Sequence, residues 1–294
     1  MTYNLLTVEP LSNEAVAQAL AHCLGLPVHD VDVADEHTDQ DLRNWDALVL
    51  CEKTAVQGDL TVSLEVYAQD SVRLQPDEAD LATEFARAAH AVVLYPAEEA
   101  LPSAYWLTTD DGTVTRARLL TSHDENPTYT IDTVEAPVAR LPHAQVARLP
   151  EIVREQRTVT PVSDRFTALL HTLDRDQADR PGTPHWKART SLAAWEQLIR
   201  TMADRWAPAG WYPADLYLER LDARDELEVM QRQLTPQAVE LLQLAAEPLD
   251  KQFFELTVQD DTWLSELPQP SKPDHTKSES RGWWWHRRPD PLPW

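Results

Sequence analysis

Residues 213–256 read PADLYLERLDARDELEVMQRQLTPQAVELLQLAAEPLDKQFFEL, and this stretch decides the architecture of the C-terminal half. Val239, Leu242, Ala246, Leu249, Phe253 and Leu256 recur at spacings of three and four, a continuous apolar seam on one helical face. Upstream, Leu216, Ala223, Leu227, Met230 and Leu234 form a second seam. Between the two sits Thr235-Pro236, a hydroxyl N-cap followed by a proline whose missing N–H costs nothing at the first helical position. Two helices joined by so short a turn are expected to fold back as an antiparallel αα-hairpin. Pro248 interrupts the second pattern, which predicts a kink or a break into two helices.

Working outward, residues 163–173 carry Phe166, Leu169, Leu170 and Leu173 on one helical face, closed by Arg180-Pro181-Gly182. Thr190 or Ser191 is placed to cap a helix bearing Leu192, Trp195, Ile199, Met202 and Trp206. Residues 163–267 therefore read as a small helical bundle. Residues 147–162, punctuated by Pro150 and Pro161, read as a connector with one short helix near 146–154. Beyond Leu267 the composition shifts to Pro, Ser, Lys, Asp and His, which builds no core. Residues 268–294 are thus expected to be a flexible linker and a tryptophan-rich tail.

The first 146 residues have a different rhythm. A strand over residues 3–8 precedes a helix capped by Ser12 and ended by Gly25, with Val16, Leu20, Cys23 and Leu24 inward. Strands follow at 47–51 and 60–67, the latter alternating with Leu60, Val62, Leu64 and Val66 on one side. A second helix after Pro76 carries Leu81, Phe85 and Ala88, and a strand spans 91–95. This β-α-β-β-α-β order predicts a ferredoxin-like, split βαβ sheet in an α+β protein. Extra edge strands are expected at 104–109, 113–120 and 129–134, the first two joined by a type I′ turn at Asp111-Gly112.

Charge bounds the function. The chain of 294 residues has a net charge of −23, which disfavours nucleic acid as a partner for the bulk surface. The imbalance is local: residues 1–146 hold 25 acids against 7 Lys and Arg, whereas 147–294 hold 24 against 19. Cys23 and Cys51 fall in apolar patterns and read as reduced core thiols. No apolar run approaches membrane-spanning length, so the expectation is a cytoplasmic protein.

Three features are candidate sites. The acidic connector holds Asp30, Asp32, Asp35 and His37, oxygen and imidazole donors that would serve a metal-dependent hydrolase, though the spacing fits neither a helix-borne His pair nor an EF-hand loop; a solvated acidic loop is the plainer reading. Asp215, Glu219, Asp222 and Glu226 stack as a carboxylate stripe on the first hairpin arm, a face that a basic partner or Arg220 and Arg224 would relieve. The tail offers Trp283, Trp284, Trp285, Arg287, Arg288 and Trp294. It reads as a clasp on its own helices, as a segment that recruits another protein to a scaffold or regulator, or as a weak peripheral membrane contact. Arg116 and Arg118 share one strand face and are expected to pair with local carboxylates.

Glycine-rich phosphate loops, dinucleotide fingerprints, CxxC and HExxH are absent from the sequence, so no cofactor is expected. The leading expectation is a non-enzymatic binding protein that presents acidic surface to a basic protein, as an immunity protein does to a toxin. Asp30, Asp32, Asp35, the stripe and the tail are its candidate contacts.

Overall fold

A computed structural model describes residues 1–97, 101–124, 127–267 and 281–294. It is mixed α+β, with a ten-stranded mixed sheet and seven α-helices among the described residues. The chain divides into two compact units, Met1–Gln156 and Arg157–Trp294.

In the first unit β1 (Thr2–Thr7) leads to α1 (Asn13–Leu24), β2 (Val31–Ala34), β3 (Val49–Ala55), β4 (Gln57–Gly58) and β5 (Val62–Ala68). Then come α2 (Glu78–Ala89), β6 (Val93–Pro96), β7 (Ala104–Thr108), β8 (Val114–Thr121), β9 (Thr128–Val134), β10 (Gln145–Val146) and α3 (Pro150–Glu155). The strands run in the order β10-β9-β8-β7-β6-β1-β5-β3-β2, with β4 pairing β9 off that path. Local chemistry explains the helix ends. Ser12 accepts from the Ala15 N–H, Gly25 closes α1 in the left-handed region at φ 63°, and Asp77 caps α2, as short oxygen caps and a terminal glycine should.

The alternation of β1, β3 and β5 sends Tyr3, Leu5, Val49, Cys51, Val62, Leu64 and Val66 into one core with Val16, Leu20, Leu81 and Phe85 of the two helices. In α2 the inward alanines are Ala82 and Ala86, while Ala88 is exposed. A second core gathers Leu94, Leu107, Leu119, Ile131 and Val134 from β6–β9.

Two expectations need correction here. The acidic connector is not all loop: Val31 and Val33 alternate with Asp32, and β2 joins the edge of the sheet parallel to β3. The β7–β8 turn is not type I′, which requires two left-handed residues. Only Gly112 is left-handed there, at φ 88°, and the Gly112 N–H donates to the Thr109 carbonyl.

In the second unit α4 (Pro161–Asp179), α5 (Pro184–Ala203), α6 (Ala214–Gln231) and α7 (Pro236–Leu256) precede β11 (Thr257–Gln259) and β12 (Arg287–Pro289). The central helix is α5, packed against α4, α6 and α7. It starts seven residues before the expected cap, because Thr183 accepts from the Trp186 N–H and Pro184 occupies the first turn. Thr235 caps α7 ahead of Pro236, and α7 continues through Pro248 as one helix. The backbones of α6 and α7 approach each other little, since α5 lies against both. The α7 seam therefore meets Trp195 of α5, whose ring centroid lies 4.6 Å from that of Phe253. The predicted linker over 268–280 falls outside the described residues.

Candidate functional site

The acidic connector and the sheet beside it are built from alternation. On β1, β5 and β3 the side chains not used by the helix-facing core point the other way. Register aligns them in rows: Thr2, Tyr67, Leu50 and, from β2, Asp32; then Asn4, Glu65 and Glu52; then Leu6, Ser63 and Thr54. Glu52 and Glu65 are directly opposed and both exposed, a like-charge cross-strand pair that costs stability.

Arg43 lies over this face with its side chain almost wholly buried. Its Nε donates to Asp32 at 2.8 Å and its Nη1 to Glu52 at 2.5 Å, and its guanidinium sits 4.3 Å from the Trp45 ring centroid. Trp45 itself is 56% exposed and Tyr67 49%.

In that geometry the carboxylates of the connector have partners within the protein. Asp32 is committed to Arg43 and to the Asn44 N–H. Asp35 accepts from the Thr38 hydroxyl and the His37 N–H. Hydrogen bonds from Thr38 and Asn13 hold its carboxyl down at about 2. Asp30 lies 3.7 Å from the His29 imidazole and His37 beside Glu36. No group of three or more His, Cys, Asp or Glu side chains is arranged to hold a metal among the described residues. A cleft of 410 Å³ beside the connector is lined by Asp35, His37, Glu52 and Lys53 among others, but Lys53 brings an ammonium to within 3.6 Å of Asp35.

Asp32→Ala is expected to destabilise the first unit by about 2–4 kcal/mol, because it strips a buried guanidinium of a charged partner. Denaturant unfolding with and without added Mg²⁺ or Zn²⁺ checks this; a metal-dependent rise in the wild-type midpoint that Asp32→Ala abolishes would restore the metal reading.

In the second unit the carboxylate stripe is only partly a surface. Asp215, Glu219 and Asp222 are exposed, while Glu226 is half-buried and 3.6 Å from the Lys187 Nζ. Arg224, expected to serve the stripe, instead turns inward and donates to both oxygens of Asp250 on α7 at 2.9 and 2.7 Å. Asp250 also accepts from the Trp195 indole at 3.0 Å.

The tail joins this network. Trp284 stacks 4.2 Å from the Arg224 guanidinium, and the indole N–H groups of Trp284 and Trp285 donate to the two oxygens of Asp225 at 2.9 and 2.7 Å. Burial pushes the Asp225 carboxyl above the usual range, opposed by the two indole bonds and one from the Gly282 backbone. Pairing of β12 with β11 is antiparallel. Arg287 donates to Thr257 and to the Phe254 carbonyl, Arg288 pairs with Asp260 at 2.8 Å, and Trp294 packs against Tyr217 and Trp263.

Trp284, Trp285 and Arg287 are thus core residues here and offer no surface to a partner. Trp283 keeps 41% of its exposure, beside Phe254. The clasp is the geometry adopted; Gly282 packs so closely under the Trp284 ring that a Cβ would overlap it.

Acid should loosen both regions. Asp35, Asp111 and Asp260 are each held at about 2, Asp35 by Thr38 and Asn13, Asp111 by Thr109 and Thr113, and Asp260 by Arg288 and Thr262. A carboxyl depressed in the folded state contributes stability that is complete above its unfolded value near 3.8 and is lost as pH falls toward 2. Unfolding midpoints measured between about pH 5 and pH 2 are expected to fall mainly below about pH 4; a midpoint flat across that window would contradict these assignments.

Sequence reasoning did not single out Arg43, Trp45, Glu52, Glu65 or Tyr67. The signal was present for two of them, since the alternation that buries Leu64 and Val66 must turn Glu65 and Tyr67 outward. Arg43 and Trp45 gave no periodic signal. No protein-family model, curated protein or solved structure matches the chain.

Proposed function

We propose that this chain is a non-enzymatic binding protein whose acidic first unit engages a basic protein partner. One observation carries the reading: five of the first unit's Lys and Arg side chains pair with its own carboxylates, while Arg73 stays exposed. Arg43 pairs with Asp32 and Glu52, Lys53 with Asp35, Arg87 with Glu84, Arg118 with Asp132 and Glu151, and Arg140 with Glu9 and Asp110. Asp39, Asp41, Asp46, Glu65, Asp70 and Asp80 remain exposed and pair with no Lys or Arg among the described residues. Such a surplus field steers a cationic protein into encounter and rejects acidic ones.

Neutralisation of a basic toxin by an immunity-type protein is the concrete version of this function. A reducing, cytoplasmic setting is consistent with the free, buried Cys23 and Cys51. Among the described residues no helix is long and apolar enough to cross a membrane. We read the first unit as a split βαβ core, supported by the antiparallel order β6-β1-β5-β3, and the second as a small helical bundle centred on α5.

Affinity capture of the tagged full chain from its native host at low salt tests the proposal. A basic protein co-eluting in stoichiometric amount is expected, and a partner-free preparation would contradict it.

A further inference from the structure

We infer that the docking surface for the basic partner is the open face of the β1-β5-β3 sheet, with Trp45 and Tyr67 as aromatic anchors. The inference rests on the acidic-binding reading and specifies its site. Antiparallel sheets commonly leave one face to water, and that face is then expected to be polar and unremarkable in charge. This one departs in two independent ways.

First, it carries two large aromatics at about half exposure, Trp45 at 56% and Tyr67 at 49%, with the half-buried Leu50 in the same row as Tyr67. Trp and Tyr are the side chains that most often anchor interfaces, because they bury much area for little lost freedom. One side of the Trp45 ring is already used by Arg43, and the indole is a platform suited to stacking a second guanidinium.

Second, the centre of the face sets Glu52 against Glu65 in register. Arg43 serves Glu52, whereas Glu65 has no cation among the described residues. A pair that destabilises the free sheet is relieved when a partner places Arg or Lys between the two carboxylates. The occupant is therefore a protein surface that presents clustered Arg or Lys side chains, one of them set between the carboxylates and one over the indole. The connector acids Glu36, Asp39 and Asp41 are exposed too, and the Trp45 indole N–H donates to the Gln40 carbonyl between the last two at 3.3 Å; they flank the contact at its rim and contribute mainly to the field that steers.

A deca-arginine peptide is a suitable probe, titrated into the full chain at low salt and followed by amide and indole chemical-shift mapping. Shifts are expected to centre on Trp45, Glu52, Glu65 and Tyr67. The double variant Glu65→Lys, Tyr67→Ser should weaken peptide binding about tenfold or more, and Glu36→Lys, Asp39→Lys no more than about twofold. Folding is not at risk in the first pair, because Glu65→Lys converts a repulsive cross-strand pair into an attractive one. Its melting temperature should hold or rise while binding falls. Shifts centred on the connector, with the sheet face silent, would overturn this surface and leave the acidic-binding reading standing. No binding at low salt would overturn that reading itself.

Discussion

Deleting residues 281–294 is expected to destabilise the second unit by several kcal/mol and to leave the first unit's exchange protection unchanged. Trp284 and Trp285 are fully buried. Each indole removes about 150–250 Å² from water, and truncating a buried Trp typically costs about 3–5 kcal/mol. Ordinary domain stability is only about 5–15 kcal/mol, so loss of both rings together with the β11–β12 pairing should leave the second unit close to unfolding. Since the deletion will tend to prevent a clean folded state, Gly282→Ala and Asp225→Leu provide graded versions. The first forces the Trp284 ring off its seat, and the second leaves two indole N–H groups without their acceptor. Hydrogen exchange on the full-length variants reads the effect unit by unit. A tail deletion that abolishes partner capture without lowering the melting temperature would show instead that the segment recruits other molecules.

The second large effect is expected at Glu196, which lies on α5 and is 0% exposed. It accepts from the N–H groups of Val162 and Ser163 at 3.0 and 2.7 Å, from the Ser163 hydroxyl at 2.8 Å, and from Arg200 at 3.0 Å. Thr160 supplies no side-chain cap to α4. A carboxylate from a neighbouring helix therefore satisfies the first N–H groups of α4 and complements the positive end of its dipole. Glu196→Gln keeps the shape, removes the charge and turns an NH₂ group toward donors. The expected cost is about 3–5 kcal/mol, accompanied by faster exchange in the first turn of α4. A loss below about 1 kcal/mol would mean that water or Thr160 takes over the cap.

Where chemistry is local, the sequence was readable. Ser12, Gly25 and Thr235 act through neighbours three or four residues away, and periodicity placed α1, α2, α7 and most strands of the first unit. What could not be read depends on partners distant in the chain. Arg224 looked like a surface cation on α6 until α7 brought Asp250 beside it. Glu196 falls on the apolar stripe of α5, four residues after Leu192 and three before Ile199, but the N–H groups it caps, on Val162 and Ser163, belong to another helix distant in the chain. β2 was hidden because Asp30, Asp32 and Asp35 crowd a strand of four residues whose edge position tolerates them. The αα-hairpin was anticipated as a direct pairing, since two seams joined by a short turn give no hint that α5 will lie against both. Composition ranked the tail's readings with the clasp ahead of a recruiting segment and a membrane contact last; the placement of Asp225, Asp260 and Thr257 is what gives the clasp its geometry. The candidate face was half legible, through the alternation that exposes Glu65 and Tyr67, and half not, because Arg43 and Trp45 reach it from an aperiodic loop.

The most direct measurement is the salt dependence of affinity between the full chain and its purified partner. The surplus charge of the first unit sits on exposed carboxylates, and salt screens such charges within about 8–10 Å at physiological strength. Affinity should fall steeply between about 0.05 and 0.5 M salt, mostly through a slower association rate. A tight complex whose affinity does not change with salt would contradict the claim that the acidic first unit is what binds.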